Sequence, residues 1–202
     1  MPPTLLIVAG PNGSGKTTLV RSGVLSRLLD VPAVSINADD YAKELAGGGQ
    51  PTDDQSLQAA RMADAVLDRE IAAGRSVMVE TVLSSDKHRD RVTTARSAGF
   101  HIVLIYVSVR ISDLNIARVS TRVAMGGHQV PNDRILARRA RSHTMFQWFA
   151  EAADRVFVFD NSTTTPHIAA YKDKGRWVFR DIARLPPKLQ DIVFSLFLTE
   201  GD

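Results

Sequence analysis

Short apolar runs alternate along the chain with longer stretches in which apolar residues recur every three or four positions. Thr4 to Ala9 is a continuous apolar run ended by Gly10, the pattern of a strand buried on both faces, and Lys16 to Leu29 reads as the helix that follows. Ala33 to Asn37, Ser76 to Glu80, His101 to Val107 and Arg155 to Asp160 repeat the strand pattern. Between them helices are predicted over Asp54 to Ala73, Asp86 to Ala98, Ser112 to Met125 and Asn132 to Ala152. In the first of these, Leu57, Ala63, Val66, Leu67 and Ile71 mark the apolar positions. The last forty residues suggest two short strands around a turn at Asp173 to Gly175, then a helix entered through Pro186 and Pro187. Strands alternating with helices predict an α/β fold, a parallel five-stranded sheet core with helices on both faces. Ligands of such folds sit at the carboxyl ends of the strands.

No repeat or convincing linker divides the 202 residues, so 1–202 is expected to form one domain. Within it, about 111–152 and about 163–202 stand apart as a helical pair and a C-terminal extension. An apolar fraction of 44% excludes a disordered chain, and the absence of cysteine excludes disulfide staples and Cys-ligated metal. The longest apolar runs, Leu5 to Ala9 and Ile102 to Val107, are far shorter than the roughly 18 residues that cross a bilayer. MPPTLLIVAG lacks a basic leader, which makes a reducing cytoplasm the expected compartment. The net charge is +3, yet Arg118 to Arg141 alone carries +5: Arg118, Arg122, Arg134, Arg138, Arg139 and Arg141 against Asp133. The basic character therefore belongs to one local arginine patch, suited to forked contacts with phosphate oxygens, or else to a solvated helix face.

GPNGSGKT, Gly10 to Thr17, meets the G-x-x-x-x-G-K-[ST] pattern at every fixed position and lies between a strand and a helix, as a P-loop requires. Its chemistry follows from the spacing. Gly10, Gly13 and Gly15 let the backbone curl, so that the N–H groups of Pro11-Asn12-Gly13-Ser14-Gly15-Lys16-Thr17-Thr18, proline excepted, can face a phosphate chain, with the following helix adding its positive end. Lys16 is expected on the β- and γ-phosphates of ATP and Thr17 on Mg²⁺. The fold expected is thus that of a P-loop NTPase or kinase. The LSGGQ signature of transporter ATPases has no match in GGGQP at Gly47 or AMGGHQ at Ala124.

Further candidates lie after the second and third strands. SINADDYAK puts Asp39 and Asp40 where a carboxylate can take the proton of an attacking hydroxyl. Asp39 reads as that base and Asp40 as a helix N-cap. VMVETVLSS ends in Glu80, in the manner of a Walker B acid able to hold Mg²⁺ or a substrate hydroxyl. Thr81 and Ser84 add hydroxyls for phosphate or sugar, although Ser84 and Ser85 also suit a turn. Arg118 and Arg122 share one helix face, and Arg134, Arg138 and Arg141 form a stripe on the next, with Gly126, Gly127 and Pro131 breaking the chain between them. That is the pattern of a helical arginine lid closing on a triphosphate and excluding water. His128 in this loop reads as a packing or capping residue rather than a switch.

Taken together, GPNGSGKTT, INADD, ETVLSS, RVAMGGHQVP with RILARRARS, and FDNS (Phe159 to Ser162) resemble the short, stand-alone branch of the zeta toxin family of P-loop kinases, over roughly residues 4 to 162. The resemblance implies transfer of the ATP γ-phosphate to the 3′-hydroxyl of a nucleotide sugar, UDP-N-acetylglucosamine being the best single expectation. Position by position it implies Lys16 and Thr17 on nucleotide and Mg²⁺, Asp39 as catalytic base, and Glu80 and Thr81 on the sugar nucleotide. It further implies Arg122 with Arg134 or Arg138 on the phosphates, and Asn161 near the adenine. DYAK after Asp39 departs from the family's basic-aromatic run, and neither toxicity nor an antitoxin-like partner follows. Two other readings stand beside this one: an ATPase or nucleotide switch read by a protein partner, and a polynucleotide kinase. Few aromatics interleave the arginines, which makes a nucleic-acid ligand the weaker expectation.

Overall fold

The computed structural model describes residues 1–125 and 130–199. Its strands are β1 (Thr4–Ala9), β2 (Val34–Asn37), β3 (Val77–Thr81), β4 (His101–Ser108), β5 (Arg155–Asp160), β6 (His167–Asp173) and β7 (Arg176–Phe179). They form one sheet in the order β2-β3-β1-β4-β5-β6-β7. The first five pair parallel, as expected, and β6 and β7 extend the sheet antiparallel through a turn at Lys174 and Gly175. Because β1 lies between β3 and β4, the chain reverses its direction of travel across the sheet at β1, which opens a crevice at its carboxyl end.

Alternation along the central strands builds two cores. Leu5, Ile7 and Ala9 of β1 and Ile102, Leu104 and Tyr106 of β4 enter one of them. They meet Leu67 and Ile71 of α3 (Asp53–Ala72), Val92 of α4 (Arg89–Ser97), Phe146 and Phe149 of α6 (Asn132–Ala152), and Leu189 and Val193 of α7 (Pro187–Thr199). Leu6, Val8, Val103, Ile105 and Val107 enter the other, against Leu19 of α1 (Lys16–Arg21) and Leu25. Full burial of each such side chain is worth about 1.5–3 kcal/mol. The sheet is therefore fixed rigidly beneath the loops at its carboxyl edge.

Three elements differ from expectation, each for a local reason. The helix expected from Lys16 to Leu29 stops at Arg21: Ser22 Oγ donates to Leu19 O at 2.7 Å, Gly23 takes a φ of 72°, and only a 3-10 turn, Leu25–Arg27, follows. A short helix, α2 (Ala38–Leu45), begins directly after β2, earlier than an N-cap at Asp40 would start it. Its N-cap is Asn37, whose side chain accepts from Asp39 N at 2.9 Å, so Asp40 is not the cap; Asp39 and Asp40 both occupy the first turn, where acids are favoured. Helix α4 starts at Arg89 rather than Asp86, since Arg89 N closes a turn onto Asp86 O at 2.7 Å. Thr52 and Gln55 form a capping box that starts α3 at Asp53.

The arginine-bearing pair is α5 (Ser112–Ala124) and α6, joined by a small apolar contact of Val119 with Ile135 and Val130. Gly126, Gly127 and His128, expected as a hinge with a packing histidine, lie outside the described residues. The second half of α6 belongs to the main core through Phe146, Phe149 and Ala150. Any lid motion is therefore restricted to α5 and the start of α6.

Candidate active site

Each parallel strand delivers one piece of the site at the same edge of the sheet. The P-loop leaves β1 after Ala9, and in register beside it Glu80 and Thr81 of β3 lie opposite Val8 and Ala9. Gly15 closes the loop with φ 93°, and a Cβ there would stand 2.1 Å from Asn161 Nδ2, so the position excludes a side chain twice over. Lys16 is buried and its Nζ donates to Gly10 O at 2.8 Å and Pro11 O at 3.2 Å, folded back along the loop it serves. The Thr17 hydroxyl donates to Glu80 Oε1.

Across the crevice, Arg122 of α5 donates through Nη1 to Asp39 Oδ2 at 3.2 Å. Among the described residues Asp40 pairs with Arg21, at 3.5 Å between two exposed groups. Arg118 stands one turn before Arg122, its Nη1 3.9 Å from the Cβ position of Gly15. Arg118 Nη1, Arg122 Nε and Ser14 Oγ are buried and have no hydrogen-bond partner. Three donors left open around one loop are the complement of an anion with several oxygens.

Other expected residues are placed differently. Thr81 Oγ1 accepts from Leu83 N at 3.2 Å, in a turn that holds Leu83 at φ 55°. Ser84 offers its carbonyl to Arg141 Nε at 3.3 Å, which takes Arg141 out of the free stripe. Arg134 is exposed and Arg138 half-buried on α6. Asn161 follows β5 and its Nδ2 donates to Ser14 O at 2.8 Å, which makes it a brace of the P-loop. Asn115 was not among the expected site residues, and Arg139 figured only as a member of the arginine patch. Asn115 is fully buried and its Nδ2 donates to Asn12 O at 2.6 Å, while Arg139 Nε donates to Asn115 Oδ1 at 3.0 Å. A signal existed: Asn115 lies four residues before the buried Val119, a polar residue on the apolar side of its helix.

Residues 5–149 match the profile of the family described as AAA domain (AAA_33). The chain belongs to this family. A Haemophilus influenzae (strain Rd) protein described as uncharacterized is 29% identical over 128 residues, 63% of this chain and 86% of its own length. Among solved structures, a chain of the AvrRxo1-ORF1:-ORF2 complex with ATP superposes with a TM-score of 0.69 at 15% identity, over 90% of this chain. This chain spans 62% of that one. A chain of the PezAT chromosomal toxin-antitoxin system of Streptococcus pneumoniae superposes with a TM-score of 0.60 at 14% identity, covering 98% of this chain and 79% of its own. At these identities the likeness is one of fold, and the fold is that of the P-loop kinases.

In this AAA-domain chain the electrostatics of the crevice are set by burial. Burial lowers the pKa of Lys16, opposed by the charges of Glu80 and Asp39. Burial raises that of Glu80, opposed by Lys16 and by the hydrogen bond from Thr17. Each charge opposes the shift that burial imposes on the other, an arrangement common where a charged ligand binds. No helix among the described residues is long and apolar enough to cross a membrane.

Proposed function

We propose that the protein is an ATP- and Mg²⁺-dependent small-molecule kinase of the zeta toxin type, with a hydroxyl of a nucleotide sugar as acceptor and UDP-N-acetylglucosamine the best single candidate. The observation that carries this reading is the meeting of Asp39 with Arg122 beside the P-loop. A nucleotide-binding module needs no carboxylate there. A kinase needs a proton acceptor and a cation facing the transferred group.

The residues fit a triphosphate. Ser14 Oγ, Arg118 Nη1 and Arg122 Nε, which no protein acceptor satisfies, would each donate to a phosphate oxygen. Lys16 Nζ, held by two loop carbonyls, needs only a small rotation of its flexible stem to exchange them for phosphate oxygens. No cluster of three His, Asp or Glu side chains among the described residues forms a ready metal cage. Thr17 and Glu80 would therefore hold Mg²⁺ together with phosphate oxygens and waters, the usual arrangement for this ion. Bound there, Mg²⁺ would neutralise charge on the phosphates. Asp39 would accept the acceptor hydroxyl's proton once Arg122 turns from it towards the phosphates. Arg118 and Arg122 would stabilise the charge of the transferring group, and α5 would keep water from competing with the acceptor.

The AvrRxo1 and PezAT neighbours are, by name, a two-component complex and a toxin-antitoxin system, which supports a protein partner for this chain as a secondary expectation. Incubation with ATP, Mg²⁺ and a panel of UDP-sugars, followed by mass spectrometry, tests the main reading. An acceptor heavier by one phosphate is the expected product. ATP turnover that no acceptor stimulates would replace the kinase by a nucleotide switch.

A further inference from the structure

We infer that Asn115 is a positioning residue that locks α5, and with it Arg118 and Arg122, onto the P-loop. The inference rests on the phosphate-site reading above. Helix α5 touches the loop backbone to backbone: a Cβ on Gly13, whose φ is 71°, would stand 2.4 Å from Asn115 O and 3.0 Å from Asn115 Cα. Into this contact Asn115 places an amide with a distinct bond at each end. Its Nδ2 donates to Asn12 O at 2.6 Å, across 103 residues of chain. Its Oδ1 accepts from Arg139 Nε at 3.0 Å. Arg139 in turn donates through Nη2 to Val109 O at 2.8 Å and Arg110 O at 3.1 Å, the segment joining β4 to α5. All three of these arginine bonds end on uncharged oxygens, so the guanidinium works as a bracket and not as half of an ion pair.

The consequence lies one and two turns further along. Arg118 and Arg122 are three and seven residues after Asn115, on the same helix face, about 4.5 Å and 10 Å along the axis. A helix pinned at Asn115 can pivot but cannot slide, which fixes the depth at which both guanidinium groups enter the crevice. Asparagine is required because the position needs a donor and an acceptor together. Aspartate keeps the volume and the Arg139 contact but turns a negative charge onto the Asn12 carbonyl. The base of α6 is stapled independently: Ser142 Oγ donates to Val82 O at 2.7 Å and meets Tyr106 Oη at 2.8 Å. The bracket thus joins α5 to α6 one turn before this staple.

The test is a double-mutant cycle on the full chain. Asn115→Ala and Asn115→Asp are each expected to lower kcat about 100-fold, as a displacement of about 1 Å would, with the ATP dissociation constant changed less than about threefold. In an Arg118→Ala, Arg122→Ala background the same substitutions are expected to cost less than about threefold more, because they act through those arginines. Fully additive losses, or wild-type kcat in Asn115→Asp, would overturn the assignment. Amide hydrogen exchange on the same samples separates this idea from the kinase reading. Should the wild-type chain turn over no ATP, that reading fails, yet faster exchange over 12–15 and 115–122 in Asn115→Asp would still uphold the lock, and unchanged exchange would sink it.

Discussion

Arg122 Nη1 and Asp39 Oδ2 lie 3.2 Å apart although 83 residues separate them in the chain. The carboxylate proposed as base and the cation proposed for the phosphate therefore neutralise each other before substrates arrive. Asp39→Asn is expected to retain ATP affinity and lose about two to four orders of magnitude in the rate of transfer, the usual contribution of a general base. Single-turnover kinetics with the identified acceptor, alongside an ATP titration, decides the matter. Normal transfer by the variant would leave Asp39 a first-turn helix acid and nothing more.

The arginines are expected to rank by burial and by what they face. Arg118 and Arg122 carry buried nitrogens without partners at the P-loop, whereas Arg134 is exposed on the opposite helix. Alanine at 118 or 122 should lower kcat/KM by about 100-fold or more, the scale for removing one donor from a transition-state clamp. Alanine at 138 should cost less and alanine at 134 least. A variant at 134 as damaged as one at 122 would show that the start of α6 swings in towards the P-loop.

Thr17 and Glu80 are expected to be needed for the metal rather than for the nucleotide. Thr17→Val should abolish the gain in ATP affinity that Mg²⁺ confers and leave binding in EDTA nearly unchanged, as calorimetric titration under both conditions would reveal. Glu80 must be ionised to hold the ion, and burial has raised its pKa. The acid limb of kcat/KM should therefore lie at higher pH than an ordinary carboxylate would place it. Equal losses of affinity with and without Mg²⁺ in Thr17→Val would remove the metal assignment.

What could be seen in the sequence divides along physical lines. The P-loop was legible because phosphate chemistry dictates its spacing, and the four inner parallel strands because burial on both faces makes them largely apolar runs, which the exposed edge strand β2 is not. Helix α2 was legible only in part: Asp40 read as an N-cap, whereas the eight residues, with three acids and a lysine, start at Ala38 under the Asn37 cap bonded to Asp39 N. The early end of α1 turned on one glycine and one serine hydroxyl. The role of Asn115 depends on a contact with Asn12 across 103 residues, and that of Arg139 on Asn115 in turn, which no local pattern encodes. Asn115 showed only as a polar residue on an apolar stripe.

Acid should unfold the protein earlier than its carboxylates alone would require. His88 and His143 are buried, and burial depresses their pKa values to about 4 and about 3. Lys87 and Arg91 add to the effect at His88 against Asp64 and Asp68, and Arg139 and Lys188 add to it at His143. His88 Nδ1 and His143 Nε2 have no partner that would reward a proton. Below the ordinary histidine value near 6.5 the unfolded chain takes up protons that the folded chain refuses, so stability is full above that pH and falls as pH drops towards 4. On the order of 2 kcal/mol per histidine should be lost between pH 7 and pH 5. Urea midpoints across this range measure it, and His143→Asn should remove about half of the dependence. A wild-type midpoint that stays level from pH 7 to pH 5 would mean that both imidazoles find water or a proton acceptor in solution, and that neither is the neutral, enclosed group described here.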